Sequence, residues 1–278
     1  MKFYIESKRR VSGTNEDFVY QLPRGVDLPD SHAYVDCVLV PNVIYSARTG
    51  FNDKLYVREG LVASPGGSPV FTFRVLTIVP GQYNGVTLAQ QVQLALNSVG
   101  ITLGVDTYAV AYDVEKAKLT IATTAANTST FTIYGEEGMP DLWNINAPSN
   151  LVTIQPQSAN KLCGFMTEAT ITGSPGNVAT GPDVIDVQRH HCMYIHSDIG
   201  NPDQTFGPRG ESDIIRRVIV DAPQNGLAID RHTTAHDYVD VPAQPLKSMH
   251  FSLRGSDGHT VDLHGHEWSF SLIFHEKL

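Results

Sequence analysis

The stretch from Met249 to Phe274 constrains the fold of this chain more than any other, because large apolar side chains alternate with polar ones along it. One run carries Met249, Phe251 and Leu253, and a second carries Trp268, Phe270, Leu272 and Phe274. A period of two is typical of a β-strand with one buried face. Glycines at positions 255, 258 and 265 favour turns between the runs. The pattern predicts two antiparallel strands that lie in a core.

Similar short alternating runs occur through the rest of the chain, with polar Gly/Pro/Ser/Asn segments between them. Apolar residues make up 41% of the 278 residues and charged residues only 18%, which indicates an ordered globular protein. About eight such runs, with no regular alternation of strand and helix, exclude a doubly wound α/β sheet. The sequence predicts an all-β fold, a single jelly-roll sandwich of two sheets.

The middle of the chain differs from the rest because it includes a helical pattern, near residues 87–98, among the strand-like runs. Thr87 and Gln90 are spaced as a capping box, and Leu88, Val92 and Leu96 form an apolar stripe. A predicted hairpin, 108–123, follows the helix. We therefore expect residues 70–174 to form a small inserted α+β subdomain, and residues 1–69 and 175–278 to form the jelly-roll domain.

The charge balance and the cysteines exclude several classes of protein. A formal net charge of −9 opposes general binding to nucleic acid, and the basic run Lys8, Arg9 and Arg10 is interpreted as a solvated N-terminal arm. Three cysteines without CxxC spacing indicate neither a disulfide framework nor a zinc knuckle. We expect a soluble protein without a signal peptide, a membrane span or a cofactor.

His264 and His266 are the candidate metal ligands. Two histidines separated by one residue on a strand point to the same side, as in the metal motif of cupins. The cupin pattern then fails, because its glutamate would fall where this chain has Phe270 and Ser271. The interpretation favoured here is that the chain holds no metal.

Other arrangements that could carry catalysis are also incomplete. His190, Cys192 and His196 could share one face of a strand, but a buried structural cysteine explains the pattern equally. The segment from Gly207 to Gly210 lacks the Lys-Ser/Thr of a phosphate-binding loop. The sequence therefore predicts no enzyme.

Three segments, read together, resemble a family of viral proteins. They are YIHSDIGN at 194–201, GPRGESDIIRRVIV at 207–220 and VDLHGHEWSFSLIF at 261–274, and IVPGQYNGVTLAQQVQLALN at 78–97 and SANKLCGF at 158–165 add to them. In this combination and order the chain resembles the minor capsid (penton) proteins of virophages and polinton-like viruses. Cys163 departs from the Leu-Gly-Phe that the resemblance implies in the last segment. The positions that carry the resemblance are Asp198, Gly200, Gly207, Arg209, Gly210, Asp262, Gly265, Trp268 and Phe270.

The resemblance implies a structural capsid protein that forms a homopentamer at the vertices of the virion, next to the major capsid protein, after assembly inside the host cell. For Arg209 we favour a loop-anchoring role, bonded to carbonyls or to Glu211 or Asp213, over a contact between subunits. Two alternatives stay open. One is a carbohydrate-binding or host-attachment module that uses Trp143, and the other is a cupin-like metal-dependent enzyme.

Overall fold

The computed structural model describes residues 1–61, 70–98, 108–123, 128–135, 158–167, 169–172, 178–200, 204–231 and 238–277. In these residues the chain is built mainly from β-strands, as the sequence predicts. In chain order the strands are β1 Lys2–Glu6, β2 Ser12–Gly13, β3 Asp17–Leu28, β4 Ser31–Pro41, β5 Lys54–Leu61, β6 Val70–Thr77, β7 Tyr108–Asp113, β8 Lys118–Thr123, β9 Thr128–Ile133, β10 Ala169–Thr172, β11 Val178–Thr180, β12 Cys192–Ser197, β13 Ile214–Ile219, β14 Leu227–Asp230, β15 Val239–Val241, β16 Gln244–Gly255 and β17 Ser269–Glu276. The α-helices are α1 Gly85–Ser98 and the single turn α2 Asn160–Cys163, and a 3-10 turn spans Ser7–Arg9.

The chain divides into two compact units. Unit 1 contains residues Met1–Ile44 and His190–Leu278, and unit 2 contains Tyr45–Arg189. Each unit has its own cluster of buried apolar side chains. The sequence placed the insertion at residues 70–174, whereas unit 2 begins 25 residues before and ends 15 residues after those bounds.

Unit 1 is a sandwich of two antiparallel sheets. Sheet A has the order β1-β17-β4-β14, with β15 also paired to β4, and sheet B has the order β13-β12-β16-β3-β2. Strands that follow each other in the chain, such as β3 and β4 or β13 and β14, lie in opposite sheets. This alternation is a feature of two-sheet jelly-roll architecture. The predicted all-β class is confirmed.

The two runs of the closing stretch become β16 and β17, and both present their apolar side chains to the core. Phe251 and Leu253 on β16 are buried, as are Phe270 and Leu272 on β17. The two strands do not pair, however, because β16 belongs to sheet B and β17 to sheet A. Their apolar faces meet across the sandwich, so the expectation of one two-stranded face was wrong. An alternating pattern determines which face of a strand is buried but not which strand lies beside it.

Strand β3 continues past Pro23 to Leu28. Opposite this point the register with β16 shifts: Ser248 pairs with Gln21 and Leu246 with Val26. The four residues between Gln21 and Val26 therefore face a single residue of β16. Proline has no backbone N–H to donate to a neighbouring strand. Because Pro23 lies in this bulge, the regular pairing on either side keeps its hydrogen bonds.

The basic run at residues 8–10 is part of the sandwich and not a free arm. The preceding strand β1 pairs with β17 along its whole length, from Lys2 with Ile273 to Glu6 with Ser269. Arg10 donates hydrogen bonds to Ser7 O at 3.1 Å and Asn15 Oδ1 at 2.5 Å. The three basic side chains are exposed, as expected for a solvated run, but the backbone before them is paired in sheet A and so is not a free arm.

Unit 2 contains a four-stranded sheet, order β10-β9-β5-β6, and a three-stranded sheet, order β11-β8-β7. The predicted helix is present, and its apolar stripe of Leu88, Val92 and Leu96 is buried. Its N-terminal cap lies one turn earlier than expected, at Asn84. Asn84 Oδ1 accepts from the Thr87 amide at 2.9 Å, and Thr87 Oγ1 accepts from the Asn84 amide at 2.9 Å. Thr87 is therefore the third helical residue of a capping box and not its first member.

Strand β5 belongs to unit 2, although the sequence placed it in the jelly-roll domain. It pairs with β6 and β9, and its Glu59 is buried beside Arg74 and Tyr108, both of which donate to the carboxylate. A buried carboxylate needs such partners.

The described helices include none that is long and apolar enough to cross a membrane.

Candidate functional site

The residues that carry the sequence resemblance converge on two loop regions of unit 1. The first is the connection between β12 and β13, and its described part from Gln204 to Asp213 is called the edge loop below. The second is the segment from Asp262 to Trp268, which leads into β17 and is called the entry segment. Because β13 is an edge strand of sheet B, the edge loop lies at the border of that sheet.

Gly207 and Gly210 shape the edge loop. The Gly210 amide donates to Gly207 O at 3.1 Å, and the Gly207 amide donates to Glu211 O at 2.7 Å. A side chain at position 207 would clash with Ile214 and with the Glu211 carboxylate, and Gly210 has a φ of +88°. The positive φ favours glycine at position 210, and a Cβ at position 207 would require the ends of the Ile214 and Glu211 side chains to shift. The loop is closed by its own backbone bonds.

Arg209 ties the edge loop to a neighbouring turn. Its guanidinium donates to the carbonyl of Asp257, in the turn that follows β16, and its amide donates to Glu211 Oε2 at 2.9 Å. Gly258 leaves room for this contact, because a Cβ there would lie 2.9 Å from Arg209 Nη1. In the structure, Arg209 therefore anchors the edge loop to the turn that follows β16.

Two carboxylates complete the base of the edge loop. The Glu211 and Arg209 amides, in that order, lower the pKa of the half-buried Glu211 carboxyl because both donate to its charged form. Asp213 contacts the buried His196 ring, with Oδ1 2.7 Å from Nδ1, and its carbonyl accepts from the Ser197 amide at 2.9 Å. Asp213 thus anchors the C-terminal end of the edge loop to β12, and at the other end Gln204 Nε2 donates to Asp240 Oδ2 of β15 at 2.6 Å.

Asp198 and Gly200 stand at the start of the same connection. Asp198 Oδ1 accepts from the His250 amide of β16 at 2.9 Å, which extends the contact between β12 and β16 by one bond. A Cβ at Gly200 would lie 3.3 Å from Val239 Cγ2 on β15. Residues 201–203 of this connection lie outside the described residues.

The entry segment is a tight turn that seats Trp268. Asp262 Oδ1 accepts from the His264 amide at 2.8 Å, and His264 and Gly265 have φ values of +52° and +81°. Gly265 O accepts from Asn15 Nδ2 at 2.8 Å, and the indole of Trp268 donates to Asn15 O at 2.7 Å. These bonds fix the segment to the turn between β2 and β3.

Trp268 and Phe270 lie inside the sandwich at the end of this segment. Trp268 is 2% exposed and stacks on Phe270, with ring centroids 5.1 Å apart. Trp268 also meets Phe18 of sheet B edge to face, at 5.8 Å. The two aromatic residues therefore form part of the core and are not available to a ligand.

The candidate metal ligands do not share a strand face. His264 and His266 lie in the turn of the entry segment, so the rule that places residues i and i+2 on one side does not apply. His266 Nδ1 is 3.0 Å from Leu263 O, and His264 Nδ1 is 3.5 Å from Asp262 Oδ1. In the part of the chain that the structure describes, no group of three or more His, Cys, Asp or Glu side chains could hold a metal ion.

The cysteine and histidine cluster is likewise dispersed. Strand β12 begins at Cys192, so His190 precedes it, and the nearest polar partner of Cys192 Sγ is Tyr194 Oη at 3.5 Å. His196 instead contacts Asp213. Trp143, the residue considered for carbohydrate binding, lies outside the described residues.

Sequence reasoning missed two features of unit 1. Phe206 in the edge loop is 79% exposed, more than any other large apolar side chain in the described chain. Arg216 of β13 and Asp230 of β14 form an ion pair between the two sheets. The only sequence signal for an exposed Phe206 was its position beside Gly207 and Pro208 in a polar loop. The ion pair joins residues on different strands, so no local sequence pattern indicates it.

Comparison with known proteins gives a relationship at the level of structure. No protein-family model matches the chain, and no curated protein matches it. Among solved structures, the chain is similar to the selenomethionine-labelled mavirus penton protein, with a TM-score of 0.54, 12% identity and coverage of 100% of both chains. It also matches a chain of the Sputnik virophage structure, with a TM-score of 0.49, 12% identity and coverage of 99% of this chain and 98% of the other. At 12% identity, the similarity to the mavirus protein shows a shared fold.

Proposed function

We propose that this chain is a structural capsid protein, a penton subunit that assembles as a homopentamer at the vertices of a virion. The observation that carries the proposal is the shared fold with the mavirus penton protein over the full length of both chains, including unit 2. The sequence segments at 194–201, 207–220 and 261–274 support it independently, because they resemble the same group of proteins.

The geometry of the candidate site is compatible with a structural role. The motif residues Gly207, Arg209, Gly210, Asp262 and Gly265 shape loops through backbone bonds and positive φ angles. Such contacts preorganise a surface for another protein and do not activate a substrate. We therefore propose a protein that presents surfaces to its neighbours.

The proposed partners follow from this role. Identical copies would form the ring through a heterologous interface, in which one patch meets a different patch on the next copy. The major capsid protein of the same virion would surround the ring. The formal net charge of −9 disfavours strong binding to nucleic acid.

Native mass spectrometry of the purified chain over a range of concentrations tests the proposal. We expect a pentamer of a 30.4 kDa chain, with rings visible by negative-stain electron microscopy. A chain that stays monomeric at the highest soluble concentration would contradict the homopentamer. Arg209→Glu provides a second arm, because reversing this charge releases the edge loop from Asp257 O and should lower the pentamer yield while circular dichroism stays unchanged.

A further inference from the structure

The outward face of the four-stranded sheet in unit 2 carries an arginine without a counter-ion. Val57 and Glu59 of β5 are buried on the core side of the sheet, so Arg58 between them points to the outward side. Arg58 forms no hydrogen bond or ion pair with any residue that the structure describes, and its Nε is buried without a partner. Arg74 of the next strand differs, because it points inward and is paired with Glu59. Arg58 is therefore a cation that the fold of unit 2 leaves unneutralised.

Aromatic rings on two neighbouring elements hold the Arg58 side chain. Its Cζ lies 4.7 Å from the centroid of the Phe71 ring and 5.8 Å from that of Tyr134. Phe73, which pairs with Arg58 in the register of β5 and β6, stacks on Tyr134 with centroids 6.4 Å apart. Contacts of a guanidinium with ring faces position it without using its N–H groups. The terminal nitrogens of Arg58 stay available to a ligand.

The exposure of the guanidinium determines the direction from which a ligand can approach. Arg58 is half-buried, and Nε is the one nitrogen of its side chain that is both buried and unpaired. The two Nη groups are therefore open to solvent. Their N–H groups form a planar fork that matches the two oxygens of a carboxylate. Because the rings already hold the side chain, little rotamer entropy is lost when such a group binds.

The surroundings of Arg58 favour a sugar acid over an acidic peptide. Strand β5 pairs with β6 on one side and β9 on the other, so it has no free backbone groups beside Arg58 to capture an extended peptide. Phe71, by contrast, is 44% exposed, and Gly60 opposite it in the register carries no side chain. The electron-rich face of an aromatic ring attracts the C–H groups of a sugar. A carboxylate and an apolar sugar face would thus meet complementary groups side by side.

We infer that Arg58 and Phe71 form a binding site for a saccharide that carries a carboxylate. The carboxylate bonds to the Nη groups of Arg58, and the sugar ring packs on Phe71. In a chain with a formal net charge of −9, general attraction of anions is weak, so recognition rests on this local pair. The site lies within unit 2 and goes beyond the proposed capsid role, because it needs one copy of the chain only.

Isothermal titration calorimetry of the full chain with defined saccharides tests the site. Sialyllactose and an oligosaccharide of glucuronic acid are the two acidic probes, and lactose is the neutral counterpart of the first. We expect heat of binding from at least one acidic probe and none from lactose at low ionic strength, and the two acidic arms show which sugar acid is preferred. Added salt should weaken the binding because it screens the charge on Arg58. Equal binding of sialyllactose and lactose would overturn carboxylate recognition.

Substitutions in the site and at matched positions assign the contact. Arg58→Gln removes the charge and should weaken binding of the acidic probe by about 10- to 100-fold. Arg58→Lys keeps the charge but loses the planar fork, so its affinity should lie between that of Arg58→Gln and that of the unchanged protein. Phe71→Ala should weaken binding by removing the ring surface. Arg24→Gln, at an exposed arginine of β3, and Val114→Ala, at an exposed apolar position, are the controls and should bind as the unchanged protein does.

Absence of binding by both acidic probes would overturn the inference, whether or not a glutamate-rich peptide binds in their place. Equal affinity of Arg58→Gln and Arg24→Gln would overturn it as well. Circular dichroism of each variant checks the fold, and Arg58→Lys provides the comparison if Arg58→Gln is unstable. None of these results depends on native mass spectrometry of the pentamer, so the proposed function stands or falls separately.

Discussion

Phe251 and Phe270 meet edge to face at the centre of unit 1, with ring centroids 4.9 Å apart and planes 79° apart, although their strands belong to opposite sheets. The contact joins the two runs of the closing stretch across the core. Trp268 continues it by stacking on Phe270, and Phe18 contacts both Trp268 and Phe251. This aromatic cluster links sheet A to sheet B.

Substitution within this cluster should destabilise the protein strongly. Trp268→Ala and Phe270→Ala each remove a ring that is 2% and 4% exposed, respectively, and each should lower the free energy of unfolding by about 3–5 kcal/mol. Urea denaturation followed by tryptophan fluorescence or circular dichroism measures the loss. Ile219→Ala, at an exposed position of β13, is the control and should change stability little. Unchanged midpoints in both core variants would contradict the assigned inner face of β17.

The ion pair between Arg216 and Asp230 connects edge strands of the two sheets. Arg216 Nη2 lies 2.8 Å from Asp230 Oδ1 and Nε lies 3.2 Å from Oδ2, and both side chains are nearly buried. Arg216→Ala leaves a buried carboxylate without its guanidinium, so we expect a loss of about 3–5 kcal/mol. Arg217→Ala is a matched control, because the next side chain along β13 is exposed. Equal stability of the two variants would show that the pair contributes little.

The edge loop should loosen in acid because of Glu211. The Glu211 and Arg209 amides lower the pKa of this carboxyl in the folded protein, so its contribution is present above the unfolded pKa and is lost as the pH falls through the lowered folded pKa, on the acid side of the ordinary range for a glutamate. Amide exchange or limited proteolysis of the loop should rise in that range. Glu211→Gln should show the loosened loop already at neutral pH. A loop whose protection is independent of pH, in a chain that stays folded, would contradict this role.

Unit 2 should be removable as a whole but not in part. Replacing residues 45–189 with a short Gly/Ser linker removes the complete second core and should leave a folded β protein by circular dichroism. The replacement of residues 71–174, which the sequence boundaries suggest, keeps β5 but removes its partners β6 and β9. It also removes Arg74 and Tyr108 from the buried Glu59. We expect the shorter deletion to be the less stable of the two, and the reverse order would contradict the unit boundaries.

The sequence by itself determined the local features of this protein. Alternation identified which side chains of β16 and β17 are buried, because successive residues of a strand point to opposite faces. The spacing of Leu88, Val92 and Leu96 located the helix, and of the glycines at 255, 258 and 265 that marked turns, Gly258 and Gly265 have positive φ values. These signals are encoded within a few residues, so they can be read without knowledge of the rest of the chain.

Only the tertiary structure decided which distant segments meet. The placement of β16 and β17 in opposite sheets, the transfer of β5 to unit 2 and the pairing of β1 with β17 each depend on contacts between residues far apart in the chain. The Arg216–Asp230 pair has the same origin. A pattern of period two gives the face that a strand buries but leaves its neighbours open, since many pairings satisfy the same alternation and the packing of the whole core selects among them.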